Sequence, residues 1–441
     1  MVVRHSFDSE YCGYFGADLP DICCKNLAED IFMKTITDPK KIEAIFARGT
    51  AVEFYPSKED FVKRLESGER LKMYMGFDAT FTALHLGHAK SLIFLEEMRQ
   101  LGHEVIVLVG DFTAQIGDPS DKSATRKQLT REEVKHNISG WMKQIGSIID
   151  FTDKVNPAKV VYNSEWLSDL TLTEVIHLAS NFTVQQMMER DMFTKRMKAG
   201  TPIHLHEFMY PLLQGYDSIA MDVDVEICGT DQTFNALAGR TLMRRLKNKE
   251  KYVVALNLIA NPKTGELMSK SNGTGVFIDV SAKDLFGSIM ALPDPMIEPL
   301  FLNCTRIPLE EKSALLALGP RDAKARIASD IVKRLHGDDA AKAAEESFVT
   351  TFSKGGVPED VQEVVVGVGE LISDALVKAG VVPSKTEWRR LVTDGAVRTE
   401  KDEKIEDVFL KGGDPVIGLG VDSKRVVLKV GKRRFVKIVL K

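Results

Sequence analysis

Two apolar runs, separated by a histidine-containing turn and one helix, most constrain the fold of this 441-residue chain. The first run covers residues 71–76, and the second covers Glu104–Gly110. Between them the sequence predicts a helix over Ala89–Arg99, preceded at 85–88 by His-Leu-Gly-His. Strands that read as continuous apolar runs are typical of parallel sheets covered on both faces. The spacing therefore predicts a βαβ unit of a nucleotide-binding sheet, and an α/β fold of the Rossmann type.

Length and composition bound the class of protein. The chain is long enough for two to four domains, and no apolar run reaches membrane-spanning length. The N-terminus has neither the apolar core of a signal peptide nor a transit pattern. Five cysteines without CxxC spacing argue against a disulfide framework or a zinc site. We therefore expect a cytoplasmic protein that has no membrane partner and no metal ligands of its own.

The histidine turn has a chemical reading of its own. His85 and His88 lie at i and i+3 near a helix N-terminus, and Gly87 lets a flat ring approach the backbone. Convergent N–H donors at a helix N-terminus favour anionic phosphate. The turn is thus a candidate nucleotide site. A histidine pair on a helix is, however, more commonly a surface or core feature.

A second signal lies in the polar loop at 267–273, where Lys270 stands between Ser269 and Ser271. An ammonium in such a loop can swing onto a phosphate, although a solvated surface turn has the same composition. The histidine turn and this loop, about 180 residues apart, together resemble the two signature motifs of the class I aminoacyl-tRNA synthetases. Where the family motif begins with a lysine, this chain has Leu267.

Further blocks narrow the resemblance to the tyrosyl-tRNA synthetases of bacterial type, which carry a C-terminal S4 domain. The four blocks occur in family order at Tyr74–Thr80, Gly117–Lys122, Tyr210–Asp217 and Gly229–Gln232. The similarity covers about residues 70–441 and is strongest over 70–275. It implies a tyrosine–tRNA ligase, which converts tyrosine and ATP to tyrosyl-adenylate and pyrophosphate and then charges the terminal ribose of tRNA(Tyr).

Residue spacing supports the predicted amino-acid pocket. Tyr210, Gln214 and Asp217 lie at i, i+4 and i+7 on one helix face, where burial is costly unless a polar ligand is met. The alternative is an amphipathic helix with a solvated polar face. A site with unpaired polar groups rejects an analogue without the hydroxyl, a rule for which this enzyme family is itself the usual example. The resemblance implies a tyrosine-binding set of Tyr74, Asp118, Asn163, Trp166, Tyr210, Gln214 and Asp217.

The resemblance also implies which residues meet ATP. Those expected to stabilise charge on the phosphates are Thr80, His85, His88, Lys122, Arg126 and Lys270. Those expected to hold the rest of ATP are Asp78, Gly87, Gly229, Asp231, Gln232, Met268, Ser269 and Ser271. Mg²⁺ is expected on the pyrophosphate, with no dedicated protein site. Glu226 is a second departure, because bacterial relatives usually carry glutamine there.

The C-terminus predicts an RNA partner. From Lys424 to Lys441 there are eight Lys or Arg and no acidic residue, which is the footprint of a phosphate-backbone partner. Residues 383–397 resemble an S4 RNA-binding fold. The candidate RNA-binding residues are Lys385, Arg389, Arg390, Lys432, Arg433 and Arg434. A small packed α/β domain with ordinary surface cations is the alternative.

The pattern along the chain predicts a domain order. We expect an extension of unknown role at 1–40, a catalytic domain at 41–258 with an insertion near 150–205, the lysine loop at 259–281, a helical anticodon-side domain at 282–354, a linker at 355–369 and a small α+β S4-like domain at 370–441. The family resemblance implies a homodimer built through the insertion. Three rivals remain: a tryptophanyl-tRNA synthetase, an RNA-binding paralogue without charging activity, and a nucleotidyltransferase without tRNA.

Periodicity predicts the remaining elements. The predicted helices are 42–48, 58–67, 131–148, 172–192, 206–219, 230–247, 371–379 and 385–394. The predicted strands are 159–162, 223–227 and 253–259, with further strands after 394.

Overall fold

A computed structural model describes the residues in seven stretches: 34–120, 129–269, 273–353, 361–367, 371–399, 425–431 and 434–440. Six of the predicted site residues lie outside these stretches: Lys122, Arg126, Lys270, Ser271, Lys432 and Arg433. Most of the predicted extension and most of the predicted linker lie outside them as well.

In the described stretches ten strands form two sheets. The strands are β1 (Ala51–Tyr55), β2 (Lys72–Asp78), β3 (Glu104–Gly110), β4 (Lys159–Tyr162), β5 (Val225–Gly229), β6 (Tyr252–Leu256), β7 (Gln362–Val366), β8 (Val397–Thr399), β9 (Arg425–Val430) and β10 (Arg434–Leu440). The first sheet has the order β1-β6-β5-β2-β3-β4, and the second has the order β7-β10-β9-β8.

Nineteen α-helices are described around these sheets. They are α1 (Pro39–Phe46), α2 (Lys58–Glu66), α3 (Leu86–Gln100), α4 (Thr113–Ile116), α5 (Arg131–Ile138), α6 (Trp141–Gly146), α7 (Ser164–Leu167), α8 (Leu172–Ala179), α9 (Val184–Met188), α10 (Asp191–Lys198), α11 (Leu205–Met221), α12 (Thr233–Lys247), α13 (Ala282–Met290), α14 (Ile297–Cys304), α15 (Lys312–Ala317), α16 (Pro320–His336), α17 (Asp338–Ser353), α18 (Ile372–Lys378) and α19 (Lys385–Thr393).

The predicted βαβ unit is confirmed. β2 and β3 pair in parallel, with α3 between them in the chain. β2 also pairs in parallel with β5, so the chain leaves β2 toward β3 and β4 on one side and later builds β5 and β6 on the other. Ligands of such sheets bind at this reversal, outside the carboxyl ends of the strands. The ends of β2, β3 and β5 therefore define the candidate site.

The structure differs from the predictions where a long helix or a short strand is concerned. The predicted helix at 131–148 is two helices, α5 and α6, with Gly140 at the start of the second. The predicted helix at 172–192 is interrupted, because Thr183 begins a new helix with a capping box of its own. β1 was not predicted, and it joins the sheet edge antiparallel to β6, about 200 residues later in the chain.

The second sheet has its own core. β7 falls inside the predicted linker, yet it pairs in parallel with β10 at the end of the chain. Trp388 of α19 is 2% exposed and packs in a cluster that includes Leu376 of α18 and Leu428 of β9. This cluster contains no residue of the six-stranded sheet, so 361–440 forms a packed unit among the described residues.

A helix that spans a membrane contains about 20 mostly apolar residues. No single helix in these stretches is long and apolar enough to cross a membrane. The pair Ala282–Met290 and Asp294–Cys304 reaches that length and composition together, but is bent by 113°.

A fully buried histidine beside β2 and β3 makes stability depend on pH. His103 Nδ1 accepts a hydrogen bond from the Leu71 amide at 3.3 Å, and burial lowers the pKa of His103 to about 4. Between about pH 6.5 and pH 4 the unfolded chain therefore binds a proton at this histidine that the folded chain does not bind. The folded protein loses stability as pH falls through that window. Between pH 6.5 and 5, wild type should lose about 1.5 kcal/mol of unfolding free energy more than H103N.

Urea unfolding at the two pH values measures this difference. The matched control is H177N, because His177 is exposed. We expect H177N to keep the wild-type pH dependence. Parallel curves for wild type and H103N would contradict the prediction.

Candidate active site

The two signature histidines close the N-terminus of α3 on each other. His85 is the N-cap, and its Nδ1 accepts from the Gly87 amide at 3.1 Å. The His85 amide in turn donates to His88 Nδ1 at 3.2 Å, and the ring centroids are 4.0 Å apart. Because both Nδ1 atoms accept, the proton of each neutral ring resides on Nε2. The pair therefore offers two Nε2–H donors.

The protonation state of the pair follows from burial. Burial lowers the pKa of His85 to about 4. It also lowers the pKa of His88, which faces His85 as well, to about 3. Both rings are neutral at pH 7. Gly87 is required by the same geometry, because a Cβ there would lie 2.7 Å from Cε1 of the His85 ring.

The tertiary structure brings the lysine loop to the histidine turn. The Leu86 amide donates to the Val276 carbonyl at 2.9 Å, and the Ile278 amide donates to the Leu84 carbonyl at 3.0 Å. On the near side of the loop, Met268 is buried, and the Ser269 amide donates to Thr274 Oγ1 at 3.1 Å. The C-terminal flank of the loop is thus hydrogen-bonded to the turn that carries His85 and His88, and the N-terminal flank is bonded to the C-terminal flank through Thr274.

A buried carboxyl group marks the predicted amino-acid pocket. Asp217 is 1% exposed and accepts from Trp166 Nε1 at 2.8 Å and from Asn163 Nδ2 at 3.3 Å. Burial raises the pKa of Asp217 well above its usual range, and the two donors oppose that rise. The structure brings these three predicted residues together around one polar centre.

Asp78 connects this pocket to the end of β2. Its Oδ2 accepts from the Tyr210 hydroxyl at 2.8 Å, and its Oδ1 accepts from Thr113 Oγ1 at 2.6 Å. Thr113 also accepts from Asn163 Nδ2 at 3.0 Å. Thr80 follows Asp78 in the turn before α3. Asp78, predicted to bind ATP, is therefore hydrogen-bonded to Tyr210 directly and to Asn163 through Thr113, both predicted to bind tyrosine. Thr113 was missed in the sequence.

A second group of polar contacts lies around Asp118. Gln232 Nε2 donates to Asp118 Oδ2 at 2.5 Å, and the Ser120 amide donates to Oδ1 at 2.9 Å. Arg190, which sequence reasoning missed, is 6% exposed and lies 4.0 Å from the same carboxylate. Its guanidinium also lies 5.1 Å from the ring centroid of Phe234. The acidic group beside Gln232 is therefore partly neutralised.

The departure at Glu226 has a partner that sequence reasoning also missed. Glu226, 1% exposed on β5, accepts from Gln214 Nε2 at 2.9 Å and is ion-paired with Lys251 Nζ. Lys251 is fully buried. An acidic residue in an otherwise apolar strand was the available signal, because a buried charge requires a partner. Gln214 thus meets Glu226, whereas the Tyr210 hydroxyl meets Asp78.

The remaining predicted residues lie at the end of β5 and in the packed unit at 361–440, the second unit. A Cβ at Gly229 would collide with the carboxylate of Asp231, which is exposed. In the second unit, three predicted cations already have protein partners: Lys385 with Asp374, Arg390 with Glu387 and Arg434 with the Val381 carbonyl. Arg389 is exposed on the same helix, α19.

A metal site in the seven described stretches requires several His, Cys, Asp or Glu side chains that converge on one point. In these stretches no group of three or more His, Cys, Asp or Glu side chains is arranged to hold a metal ion.

Comparison with known proteins identifies the family. The sequence model described as tRNA synthetases class I (W and Y) matches residues 66–353. A tyrosine–tRNA ligase of Carboxydothermus hydrogenoformans is 40% identical over 92% of this chain and 99% of its own length. One of Haemophilus influenzae is 38% identical over 91% and 98%, respectively. A truncated mitochondrial tyrosyl-tRNA synthetase from Aspergillus nidulans shares the fold, with a TM-score of 0.61 at 22% identity over 71% of this chain and 94% of its own. The chain therefore belongs to the class I tRNA synthetase family of the W and Y type.

Proposed function

We propose that this chain is a tyrosine–tRNA ligase. It joins tyrosine to ATP, giving tyrosyl-adenylate and pyrophosphate, and then transfers the tyrosyl group to the 3′-terminal ribose of tRNA(Tyr). The carrying observation is the buried Asp217 centre, which is connected through Asn163, Thr113 and Asp78 to the turn before the two histidines. The tyrosine–tRNA ligases that share about 40% of its sequence support the same assignment.

The proposed activation step needs no covalent enzyme intermediate. A carboxylate oxygen of tyrosine attacks the α-phosphorus of ATP, and the bond to the pyrophosphate oxygen breaks. The protein contributes by holding the two reactants together and by meeting the developing negative charge. The Nε2–H groups of His85 and His88 supply neutral donors, assisted by Thr80.

Four further groups complete the proposed charge stabilisation. Lys122, Arg126 and Lys270 supply positive charge to the phosphates, by resemblance to the family, and Mg²⁺ enters bound to ATP. Mg²⁺ retains several waters and is commonly held through substrate phosphates, so it needs no protein cage of its own.

The proposed amino-acid pocket separates tyrosine from its competitors. Asp217 and Tyr74 bind the phenol hydroxyl. Asp118, Tyr210 and Gln214 bind the α-ammonium group. Asp217 is buried, so an amino acid without a hydroxyl leaves a desolvated polar group without its ligand partner. This feature favours tyrosine over both phenylalanine and tryptophan.

ATP–pyrophosphate exchange tests the proposal directly. Purified protein is assayed with tyrosine, tryptophan and phenylalanine in turn, followed by charging of tRNA(Tyr). Exchange that depends on tyrosine is the expected result. Exchange with tryptophan alone would reassign the chain to the tryptophan branch, and no exchange with any of them would favour the RNA-binding paralogue.

We also propose a homodimer through the insertion. Exposed apolar side chains are concentrated there: Leu172, Ile176, Val184, Met197 and Leu205 are 60–82% exposed. Exposed apolar groups of this kind mark interaction surfaces. We expect L172K/I176K to shift the sedimenting species from a dimer toward a single 49.1-kDa chain. L371K, which changes an exposed leucine of the second unit, is the control and should stay dimeric. A monomeric wild-type protein would contradict the proposal.

We propose that the helical segment 282–354 lies on the anticodon side and that the S4-like unit at 370–441 binds tRNA backbone. Among the described residues Arg389 is the cation of α19 that is exposed and makes no ion pair, so its guanidinium can meet a phosphate. R389A should weaken tRNA binding about 3-fold and reduce the slope of log K against log salt by about one. Filter binding over a salt series measures both, with K63A as the exposed-lysine control. An unchanged slope would place the RNA elsewhere.

A further inference from the structure

A buried ion pair lies directly behind the predicted phenol-binding residue Tyr74. Lys251 Nζ and the Glu226 carboxylate are paired, and the side chains are 0% and 2% exposed. Lys251 also donates to Ser218 Oγ at 2.8 Å, and Ser218 Oγ lies 3.0 Å from the Tyr74 hydroxyl. An unbroken chain of polar contacts therefore runs from the ion pair to Tyr74.

Space for the ammonium group is made by two glycines where α11 crosses α12. A Cβ at Gly239 would lie 2.6 Å from Lys251 Nζ, and a Cβ at Gly215 would lie 3.1 Å from the Gly239 backbone. The ammonium is also 5.9 Å from the centroid of the Tyr74 ring. Removing an ammonium from water is costly, so a lysine held here must be matched by strong interactions. Glu226 and Ser218 provide them.

Donor and acceptor chemistry fixes the direction of the chain. An ammonium can only donate, so Ser218 Oγ accepts from Lys251. Among the described residues, the hydrogen bonds of the Ser218 hydroxyl go to Lys251 and Tyr74. The serine hydrogen is therefore donated to the Tyr74 oxygen, which leaves the Tyr74 proton for another acceptor.

The neighbouring carboxylates keep that proton on the Tyr74 oxygen. Tyr74 is fully buried, and burial together with the charges of Glu226 and Asp217 raises its pKa well above the usual range, so the hydroxyl keeps its proton. A side-chain hydrogen bond to Glu226 also favours the protonated hydroxyl, and Glu226 accepts from Lys251 and Gln214 as well. A bound phenol oxygen competes with Glu226 for the Tyr74 proton, which Ser218 keeps directed away from its own oxygen by donating to the Tyr74 oxygen.

We propose that the Lys251–Glu226 pair, acting through Ser218, holds the Tyr74 hydroxyl as a donor toward the phenol oxygen of tyrosine and so contributes to the preference for tyrosine over phenylalanine. The inference rests on the proposed function. Lys251, Glu226 and Ser218 are positioning residues, because they act on the substrate through Tyr74.

Two variants test the relay by different routes. K251M/E226Q removes both charges together and leaves no unpaired buried ion, whereas S218A interrupts the chain and keeps the ion pair. For each we expect kcat/KM for tyrosine to fall about 10-fold in ATP–pyrophosphate exchange, from loss of one oriented hydrogen bond. The value for phenylalanine and the KM for ATP should stay within about 2-fold of wild type, since neither depends on a phenol hydroxyl.

The controls separate this role from a merely structural one. R306M/E97Q removes a partly buried ion pair that makes no contact with the pocket, and it should leave the tyrosine-to-phenylalanine ratio unchanged. Equal losses for tyrosine and phenylalanine, or no loss in either test variant, would overturn the proposal. Absence of tyrosine-dependent exchange in the wild-type protein would instead overturn the proposed function itself.

Discussion

Replacing Asp217 with Asn should lower kcat/KM for tyrosine in ATP–pyrophosphate exchange by roughly 100-fold, mostly through KM. The substitution keeps the size of the side chain but replaces one carboxyl oxygen with an amide nitrogen. It also presents an amide NH₂ group to a pocket in which Trp166 Nε1 and Asn163 Nδ2 are both donors. One buried donor loses its acceptor, and the phenol group of tyrosine loses a carboxyl oxygen as hydrogen-bond partner.

A matched substitution on the same helix provides the control. Asp222 follows α11 in the left-handed conformation, with φ of 49°, and its side chain is 59% exposed. Asn adopts this conformation readily, so D222N should leave the kinetics unchanged. Wild-type kinetics in D217N would show that this carboxyl group does not bind the substrate.

The second large effect is expected at His88. In H88N, the Asn oxygen can replace Nδ1 as the acceptor for the His85 amide, but no group replaces the Nε2–H donor. Loss of one donor to the developing charge should lower kcat about 100-fold, with a much smaller change in the KM for ATP. Pre-steady-state formation of tyrosyl-adenylate measures this step.

Two observations check the role assigned to His88. H136N, at an exposed histidine of α5, should behave as wild type. Because the pKa values of His85 and His88 are about 4 and 3, these rings stay neutral over pH 6–8 and should add no titration to the rate there. A rise in the KM for ATP with kcat unchanged would assign His88 to ground-state binding instead.

Local patterns were sufficient for part of the fold. β2 and β3 were predicted because a buried parallel strand is apolar along its whole length. α3, between them, was predicted because the hydrogen bonds of a helix join residues that are close in the chain. β1 and β7 were missed because each is a five-residue strand stabilised by a partner far away in the chain, β6 and β10. A strand of that kind has too little periodicity of its own to be recognised.

The same distinction holds within the candidate site. Tyr210, Gln214 and Asp217 were grouped on one helix face by spacing, and α11 does contain all three. Spacing could not show that they meet three different partners, namely Asp78, Glu226 and Trp166. Side chains on one face diverge when the neighbouring elements supply different partners.

The sequence alone determined the chemical types of the site residues and their order along the chain. These are two histidines before a helix, a lysine loop, and Tyr, Gln and Asp on one helix face. Tertiary structure decided which groups meet. It placed Val276 and Ile278 against the histidine turn, and it buried Lys251 beside Glu226 and Ser218. The reason is physical: local sequence sets backbone preference and polarity, whereas desolvation and pairing of charges depend on the elements that pack together.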